Sequence, residues 1–391
     1  MNSPPRIIIG LLSLLFFAYF IYTGFVDPIK TLLDPETREF FHVVDLEEDG
    51  MALSPAEAEA LESHLAQHAD DIDARYKLLA YYESHHYEEA SQNARQQHGL
   101  WLIENAPDSQ HMGWTFLIGV FDRQEHTEEE AHARQVWLDH LDRDPSNEKL
   151  LANAARYFSW YDAEIAKDLL SKLCELQPND SQWAENLARL HYEDIFDEES
   201  NVNVDAAKEA LVRYETAREL MKNEHEEMPG GPPAKAMYSF LERVLPFDEY
   251  KAEDRLLPQV ALCAFESGDH DRAAKYAQDL LDTDSEDFFF EHDHHNGTTI
   301  LGLIALASGE IDAAKKHLID SLPPGEPKKP NMLFPNVLLA SRLYDFGESD
   351  TVIEYFELFS RKYRGLGLKD WIEELKAGNK PDMHPSMSMM Y

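Results

Sequence analysis

The chain has 391 residues, of which 43% are hydrophobic and 11% aromatic, enough to bury a large core in two or three domains or in one long solenoid. Its 74 acidic residues outnumber the 35 lysines and arginines, which gives a net charge of −39. Because phosphate binding needs a cationic surface, this charge argues against a nucleic-acid partner. The acidic residues are spread along the chain, which indicates solvated helix faces or the recognition of a basic partner.

Cysteine spacing argues against a disulfide framework and against a zinc finger. The only two cysteines, Cys174 and Cys263, lie on the apolar stripes of two different predicted helices. They form no Cys-x-x-Cys pair and no other spacing typical of metal or redox sites. We expect both to be buried free thiols.

Residues 7–26 are 20 consecutive uncharged residues with the sequence IIIGLLSLLFFAYFIYTGFV. A helix of this length crosses the ~30 Å hydrocarbon core of a bilayer, so the segment predicts a transmembrane signal anchor after a short tail, residues 1–6. Tyr19 and Tyr22 lie towards one end, where aromatic rings favour the membrane interface. A cleaved signal peptide is the alternative, but its apolar core is usually shorter and ends at small residues.

The charges that flank residues 7–26 are nearly balanced. Arg6 and the terminal amine precede the segment, whereas Lys30 and Arg38 follow it among several acidic residues. Positive charge favours the cytoplasmic side of a membrane, and a short tail usually stays there. We therefore expect the N-terminus in the cytoplasm and the bulk of the chain beyond the membrane, with the reversed topology as the alternative.

Helix pairs follow an acidic connector that is predicted at residues 27–50. Ser54 and Glu57 have the spacing of a capping box, so a helix is expected to begin there. Three proline-centred turns, 38 and 33 residues apart, separate the helical patterns that follow: Pro107, Pro145 and Pro178. These features predict an N-terminal helical repeat array over residues 51–227.

The last third of the chain repeats one pattern three times. In each copy an apolar helical run meets a glycine and an acidic residue, and a second helical run follows. These hinges are Gly268-Asp269, Gly309-Glu310 and Gly347-Glu348. A period near 40 residues is typical of helical repeat arrays, whose stacked helices present grooves that bind partners.

Small residues around the first two hinges are expected to let the two helices of a repeat approach closely. The first copy has Ala264, Gly268 and Ala273, and the second has Ala305, Gly309 and Ala314 at the same offsets. A Gly309→Val change is therefore predicted to force a side chain into a hinge without room for it. The third copy has Leu343 and Val352 around its glycine, so its helices are expected to lie further apart.

Helix pairs with small crossing residues and proline-centred turns resemble tetratricopeptide repeats. A closer resemblance, over most of the chain from Leu53 on, is to a group of poorly characterised bacterial tetratricopeptide-like proteins. The segments that carry it are LLANAARYFSWYDAEIAKDLLSKLCELQPND, HHNGTTILGLIALASGEIDAAKKHL, FPNVLLASRLYDFGE and YFELFSRKY. The resemblance implies a bacterial origin and the repeat fold, but no activity and no active site.

The predicted fold is all-α: a tetratricopeptide-like helical-hairpin solenoid of about seven helix pairs with an N-terminal transmembrane helix. A Pro/Gly-rich stretch, Met228–Pro233, cannot be helical and predicts a boundary within the array. The predicted segments are a tail (1–6), a signal anchor (7–26), an acidic connector (27–50), an N-terminal array (51–227), a linker with a bridging helix (228–250), C-terminal repeats (251–364), and a terminal helix with a Met-rich tail (365–391).

The densest group of candidate metal ligands is Glu291-His292-Asp293-His294-His295. Histidine and carboxylate ligands suit zinc, copper or nickel. On a helix, however, only His292 and His295 would share a face. The alternative is a polar loop in which Asp293 or Asn296-Gly297 caps a helix.

The C-terminal tail holds a second candidate cluster, composed of Met383, His384, Met387, Met389 and Met390. Thioether groups of this kind can bind Cu(I). The alternative is an open end, or a short apolar segment that docks on the last helix.

Aromatic residues are concentrated in the N-terminal half and are expected to lie mostly between helices, with a few lining a groove for a peptide. They are Tyr81, Tyr82, Trp101, Trp114, Phe116, Trp137, Phe158, Trp160, Tyr161 and Trp183. Phosphate-binding loops, HExxH and GxSxG sequences are absent from the chain.

The sequence thus predicts a protein without catalytic, cofactor-binding or assigned metal residues. We expect a single-pass protein of the bacterial inner membrane whose bulk lies in the periplasm. By analogy with membrane-tethered repeat proteins, it would bind protein partners as a scaffold or assembly factor at the cell envelope. The alternatives are a metal-binding protein or enzyme centred on residues 291–295 and a cytoplasm-facing adaptor of reversed topology.

Overall fold

A computed structural model describes residues 35–85, 89–109, 128–227, 252–282, 290–323, 335, 337–363 and 368–384. These residues form 16 α-helices, one 3₁₀ helix and connecting loops. Within them no strand is present, and the one β-bridge joins Phe196 to Val202. The predicted all-α, helical repeat-like fold is therefore confirmed for this part of the chain.

The chain divides into two compact units, residues 1–169 and residues 170–391. The helices of unit 1 are α1 (Pro35–Met51), α2 (Pro55–Leu65), α3 (Ile72–Ser84), α4 (Glu89–Asn105), α5 (Glu128–Arg143), α6 (Glu148–Tyr161) and the first half of α7 (Ala163–Leu176). Unit 2 continues with α8 (Ser181–Glu193), α9 (Val204–Glu227), the 3₁₀ helix (Ala252–Leu256), α10 (Leu257–Glu266), α11 (His270–Leu281), α12 (Phe290–Ala307), α13 (Ile311–Asp320), α14 (Val337–Asp345), α15 (Ser349–Lys362) and α16 (Leu368–Lys376).

The predicted transmembrane helix requires a correction. No helix in the described ranges combines the length and apolar composition that are needed to cross a membrane. Residues 7–26, on which the anchor and the inner-membrane location were predicted, lie outside those ranges. The described part of the chain is therefore all-α and repeat-like, and it contains no spanning helix. The linker predicted at residues 228–250 also lies outside the described residues.

The first described residues of unit 1 form a helix where an acidic connector was predicted. From Pro35 on, the segment is α1, which packs on α3. Val43 and Leu46 are buried, and a Cβ on Gly50 would lie 2.4 Å from the carbonyl oxygen of Lys77. These positions form an i, i+3, i+7 stripe, which the surrounding acidic residues conceal in the sequence.

The predicted capping box is present at the start of α2. The backbone N–H of Ser54 donates to the Glu57 carboxylate at 2.8 Å, and the Glu57 N–H donates to Ser54 Oγ at 3.4 Å. Because both helix-end donors are satisfied locally, the start of this helix is fixed by four residues of sequence.

A polar cluster joins α2, α3 and α4. His98 Nε2 lies 2.9 Å from Glu62 Oε1, and Arg75 Nη1 lies 3.3 Å from His98 Nδ1. The Arg75 guanidinium carbon lies 3.8 Å from the ring centroid of Trp101. Burial lowers the pKa of His98 in spite of the Glu62 carboxylate. Its neutral ring therefore serves as a bridge between two charged side chains.

Unit 2 has the contact pattern of a stacked array. Each helix packs on the next, and α10 with α12, α12 with α14, and α13 with α15 also pack on each other. Helix α10 is buried along its length apart from half-buried Gln259. A helix that is apolar on all sides needs neighbours on all sides, so α10 forms the centre of this unit.

A buried ion pair ties α10 to α14. Arg342 Nη2 lies 2.6 Å from Glu266 Oε1, and only 4% of the Glu266 side chain is exposed. Burial raises the pKa of Glu266, and the Arg342 guanidinium opposes this shift. The pair joins residues that are 76 positions apart in sequence.

The three predicted hinges are glycine-terminated helix ends. At each hinge the glycine has a φ between 79° and 90°, and the acidic residue after it donates its N–H to the carbonyl five positions earlier. This is the Schellman arrangement, which satisfies the last carbonyls of the helix. A fourth glycine, Gly378, ends α16 in the same way and was not predicted.

The steric reason given for the hinge glycines is wrong. Nothing lies within 4 Å of a Cβ built on Gly268, Gly309 or Gly347, so these sites have room and are restricted by φ alone. Close approach occurs instead inside α12, where a Cβ on Gly302 would lie 2.4 Å from Leu339 Cδ2. The alanines predicted around the first two hinges are buried, as are Leu343 and Val352 in the third copy.

We predict that Gly309→Ala lowers the free energy of unfolding of unit 2 by about 1–2 kcal/mol, because an L-residue is strained in the left-handed region. Gly309→Asn should cost less, since asparagine tolerates this conformation. At Gly302 both substitutions should destabilise, because the obstacle there is Leu339. Chemical denaturation followed by circular dichroism measures the free energy of unfolding of the four variants, Ala and Asn at each of residues 309 and 302. Equal losses for Ala and Asn at residue 309 would contradict the backbone explanation.

Candidate functional site

The predicted metal cluster lies in a helix and not in a loop. Helix α12 begins at Phe290 and continues through residues 291–297, so Asp293 and Asn296-Gly297 do not cap a helix as the alternative proposed. His292 and His295 are three positions apart and share a face of α12, as expected. His294 lies one position before His295 and is the more exposed of the two.

The rings of His294 and His295 bind the end of a neighbouring helix. His294 Nε2 lies 3.0 Å from the carbonyl oxygen of Asp320, and His295 Nδ1 lies 2.9 Å from that of Ser321. Both carbonyls belong to the end of α13, where helix geometry leaves them without intrahelical donors. The two histidines therefore cap α13 from a different element of the fold.

The described residues contain no group of three or more His, Cys, Asp or Glu side chains placed to hold a metal ion. In the cluster, His294 and His295 point to separate carbonyls, and Asp293 is buried. The sequence grouped these residues because they are adjacent in the chain, but the rings of His294 and His295 are engaged by two adjacent carbonyls at the end of α13.

His295 is a buried, neutral histidine. A carbonyl oxygen can only accept, so Nδ1 carries the proton that is donated to Ser321. Its Nε2 has no hydrogen-bond partner among the described residues, and the ring meets Phe359 edge to face at 6.3 Å between centroids. Burial lowers the pKa of His295 to about 4. The site thus favours the uncharged ring strongly.

Both cysteines are free thiols, as predicted. Cys263 is buried as expected, but Cys174 is only half-buried. Burial raises the pKa of each thiol. Because the thiolate is the reactive form, neither has the environment of a nucleophile.

The C-terminal tail contacts several parts of unit 2, and not only the last helix. We use the name strap for residues 379–384, which form neither helix nor strand. Met383 is 4% exposed and belongs to the main hydrophobic core, and His384 Nε2 lies 2.8 Å from the carbonyl oxygen of Asp197. For these two residues the contacts therefore favour the docking alternative over copper binding. Met387, Met389 and Met390 lie outside the described residues.

The strap is held at its start by α14. The Tyr344 hydroxyl donates to the carbonyl of Gly378 at 3.1 Å, and Lys380 Nζ lies 2.7 Å from both carboxylate oxygens of Asp345. Along the strap Pro381 and Met383 are buried, whereas Asp382 is exposed. Alternate burial is the pattern of an extended chain on a surface.

The strap ends on a loop between α8 and α9 that is internally braced. The Asp197 carboxylate accepts hydrogen bonds from the backbone of Glu199 and from the backbone and side chain of Asn201. The β-bridge between Phe196 and Val202 joins the two ends of this loop. These bonds fix the Asp197 carbonyl that His384 contacts.

A separate open groove lies beside α9, with a volume of about 650 Å³. We call it the α9 groove. One wall consists of Lys208, Leu211 and Val212, and the other is the hinge region from Ser267 to Arg272. A partner entering this groove would contact one helix face and one hinge together.

Charged residues brace the α9 groove. Arg272 Nη1 lies 3.0 Å from both oxygens of Glu215, and its Nε donates to Asp269 at 2.7 Å. The Tyr276 hydroxyl donates to Glu215 at 2.6 Å. These contacts link α9 to the start of α11, so the two walls are held together by bonds as well as by packing.

Aliphatic side chains are exposed along the same face of α9. Val204, Lys208 and Val212 lie at i, i+4 and i+8, and Val212 is 54% exposed. Lys208 pairs only weakly with exposed Asp205, at 3.3 Å. The spacing of these residues could be read from the sequence, but not their exposure, because a valine stripe normally indicates a buried face.

Of the eight described aromatic residues that were predicted as core, four are buried, three are half-buried and one is exposed. Trp137 and Phe158 are enclosed in unit 1, and Trp183 is buried in unit 2. Trp160 differs, with 45% of its surface exposed. Trp114 and Phe116 lie outside the described residues.

We predict that His295 makes unit 2 less stable as the pH falls from about 6.5 to about 4. The folded pKa of about 4 is below the ordinary histidine value, so in this window the unfolded chain binds more protons. The total loss should be about 3 kcal/mol. His295→Asn keeps a donor near the Nδ1 position and should flatten this slope. Urea denaturation at successive pH values measures how the free energy of unfolding depends on pH. Parallel slopes for the unmodified chain and for His295→Asn would contradict the prediction.

No protein-family model matches the chain. No curated protein is significantly similar to it. What the chain does is therefore inferred from its own helices, grooves and polar contacts.

Proposed function

We propose that the chain is a tetratricopeptide-like interaction protein, a scaffold or assembly factor that binds a segment of a protein partner in the α9 groove. The observation that carries this proposal is an open groove with an exposed aliphatic side chain, Val212, beside a hinge that is fixed by ion pairs. Grooves of stacked helix pairs are the surfaces that repeat proteins use for binding.

The polar groups of the groove support binding more than chemistry. Arg272 and Asp269 are engaged with each other, and Glu215 accepts bonds from Arg272 and Tyr276. Side chains held in this way form a rigid contact surface, and rigid surfaces lose little entropy when a partner binds. The exposed Val212 would supply the apolar contact at the centre.

Charge favours a basic partner segment. The chain carries a net charge of −39, and Asp271 is exposed at the edge of the groove. A field of this sign increases the rate at which cationic partners arrive and disfavours acidic ones. A segment with an aliphatic or aromatic side chain flanked by lysine or arginine would fit both the charge and Val212.

A photo-crosslinking residue at position 212 in the full chain tests the proposal in the native cell. We expect it to capture a partner that a probe at Lys316, which is exposed on α13 away from the groove, does not capture. With that partner purified, Val212→Glu should weaken binding about tenfold or more, as expected for loss of a central contact.

Lys316→Glu provides the matched control, because it adds acidic charge at an exposed site on another helix. It should leave the affinity within about twofold, since charge at a distant exposed site is largely screened. Equal capture at both positions, or equal losses from both substitutions, would show that the α9 groove is not the binding surface.

A further inference from the structure

We infer that the strap, residues 379–384, occupies a peptide-binding track of unit 2 and that a basic extended peptide can take its place. The track runs from Tyr344 and Asp345 on α14 to the Asp197 carbonyl on the α8–α9 loop. It is a second binding site, separate from the proposed α9 groove, since it shares none of the residues that line that groove.

The strap is bound in the way that a peptide ligand is bound. Gly378, directly before the strap, accepts a hydrogen bond from Tyr344. The Lys380 ammonium of the strap meets the Asp345 carboxylate, and His384 reaches a carbonyl at the far end. Between these points Pro381 and Met383 are buried. Specific end contacts with alternate side chains inserted between them are the features of extended-peptide recognition.

The track can exist without the strap because other elements build it. Asp197 is fixed by hydrogen bonds from Glu199 and Asn201 within its own loop. Asp345 and Tyr344 are in α14, which packs on α12 and α15. Removing the strap would leave these receiving groups in place, with the surface that covers Met383 open.

The contacts of the strap are suited to exchange. The Lys380–Asp345 pair is partly exposed, with 35% and 58% of the two side chains accessible, and such pairs contribute little to stability. Two buried side chains, Pro381 and Met383, and the hydrogen bond of His384 then account for most of the attachment. An external peptide can reproduce all of these contacts.

The chemistry of the strap defines the competing ligand. It has a basic residue that meets Asp345, a large apolar side chain three positions later in the place of Met383, and a hydrogen-bond donor next to it. Since the chain is strongly acidic, a cationic peptide is favoured over an acidic one. A partner protein would present this pattern in an unfolded tail or loop.

Fluorescence anisotropy with a labelled peptide of residues 378–386, GNKPDMHPS, tests the inference. The unmodified full chain is compared with a full-length variant, Lys380→Glu with Met383→Glu, in which the strap should leave the track. We expect the variant to bind the peptide at least about tenfold more tightly, because the tethered strap competes at a high effective concentration. Adding Asp345→Lys to the variant should remove most of this gain.

Methionine oxidation provides a second measurement on the unmodified chain, which decides the question if the variant loses helical content. Buried Met383 should react slowly with peroxide, and saturating peptide should raise its rate several-fold as the strap is displaced. A folded variant that binds no more tightly than the unmodified chain would overturn the inference. So would a peptide that saturates the protein while Met383 stays protected.

The same samples also show whether the strap of one chain binds the track of a second copy. If the strap of one chain occupied the track of another, the protein would form dimers whose fraction rises with concentration and falls with added peptide. Sedimentation that shows such dimers would overturn the intramolecular arrangement. A monomer at all concentrations, together with the expected peptide binding, supports it.

Discussion

The architecture of unit 2 depends on how each first helix of a repeat ends. A helix leaves its last carbonyls without donors, and a chain that must reverse within two residues has to satisfy them immediately. A glycine in the left-handed region does so at Gly268, Gly309 and Gly347, and the next residue then begins the following helix. Helix pairs of similar geometry result, and their stacking buries α10 and creates the α9 groove at the first hinge.

Local signals made much of this predictable. A glycine followed by an acidic residue between two apolar runs marks a reversal whatever the tertiary context, and Ser54 with Glu57 marks a helix start in the same way. The Gly378 turn has the same bonds but no helical run after it in sequence. It was therefore hidden in what was predicted to be an open tail.

Other features depend on contacts between distant residues, which no local pattern contains. His294 and His295 were predicted as metal-ligand candidates, yet their partners are carbonyls 26 positions away. The strap reaches a carbonyl 187 positions away. In both cases the sequence correctly identified side chains that make polar contacts. Their partners, however, depend on which helix end or loop the fold brings close to them.

The buried pair of Glu266 and Arg342 has a consequence for how the chain is made. Glu266 lies in the central helix α10, and its counter-charge arrives only when α14 has been synthesised, 76 residues later. Until then a carboxyl group without its partner would have to be enclosed, which costs several kcal/mol if it is ionised. Unlike a simple array that adds one repeat at a time, unit 2 is therefore expected to complete its centre only after α14 has been translated.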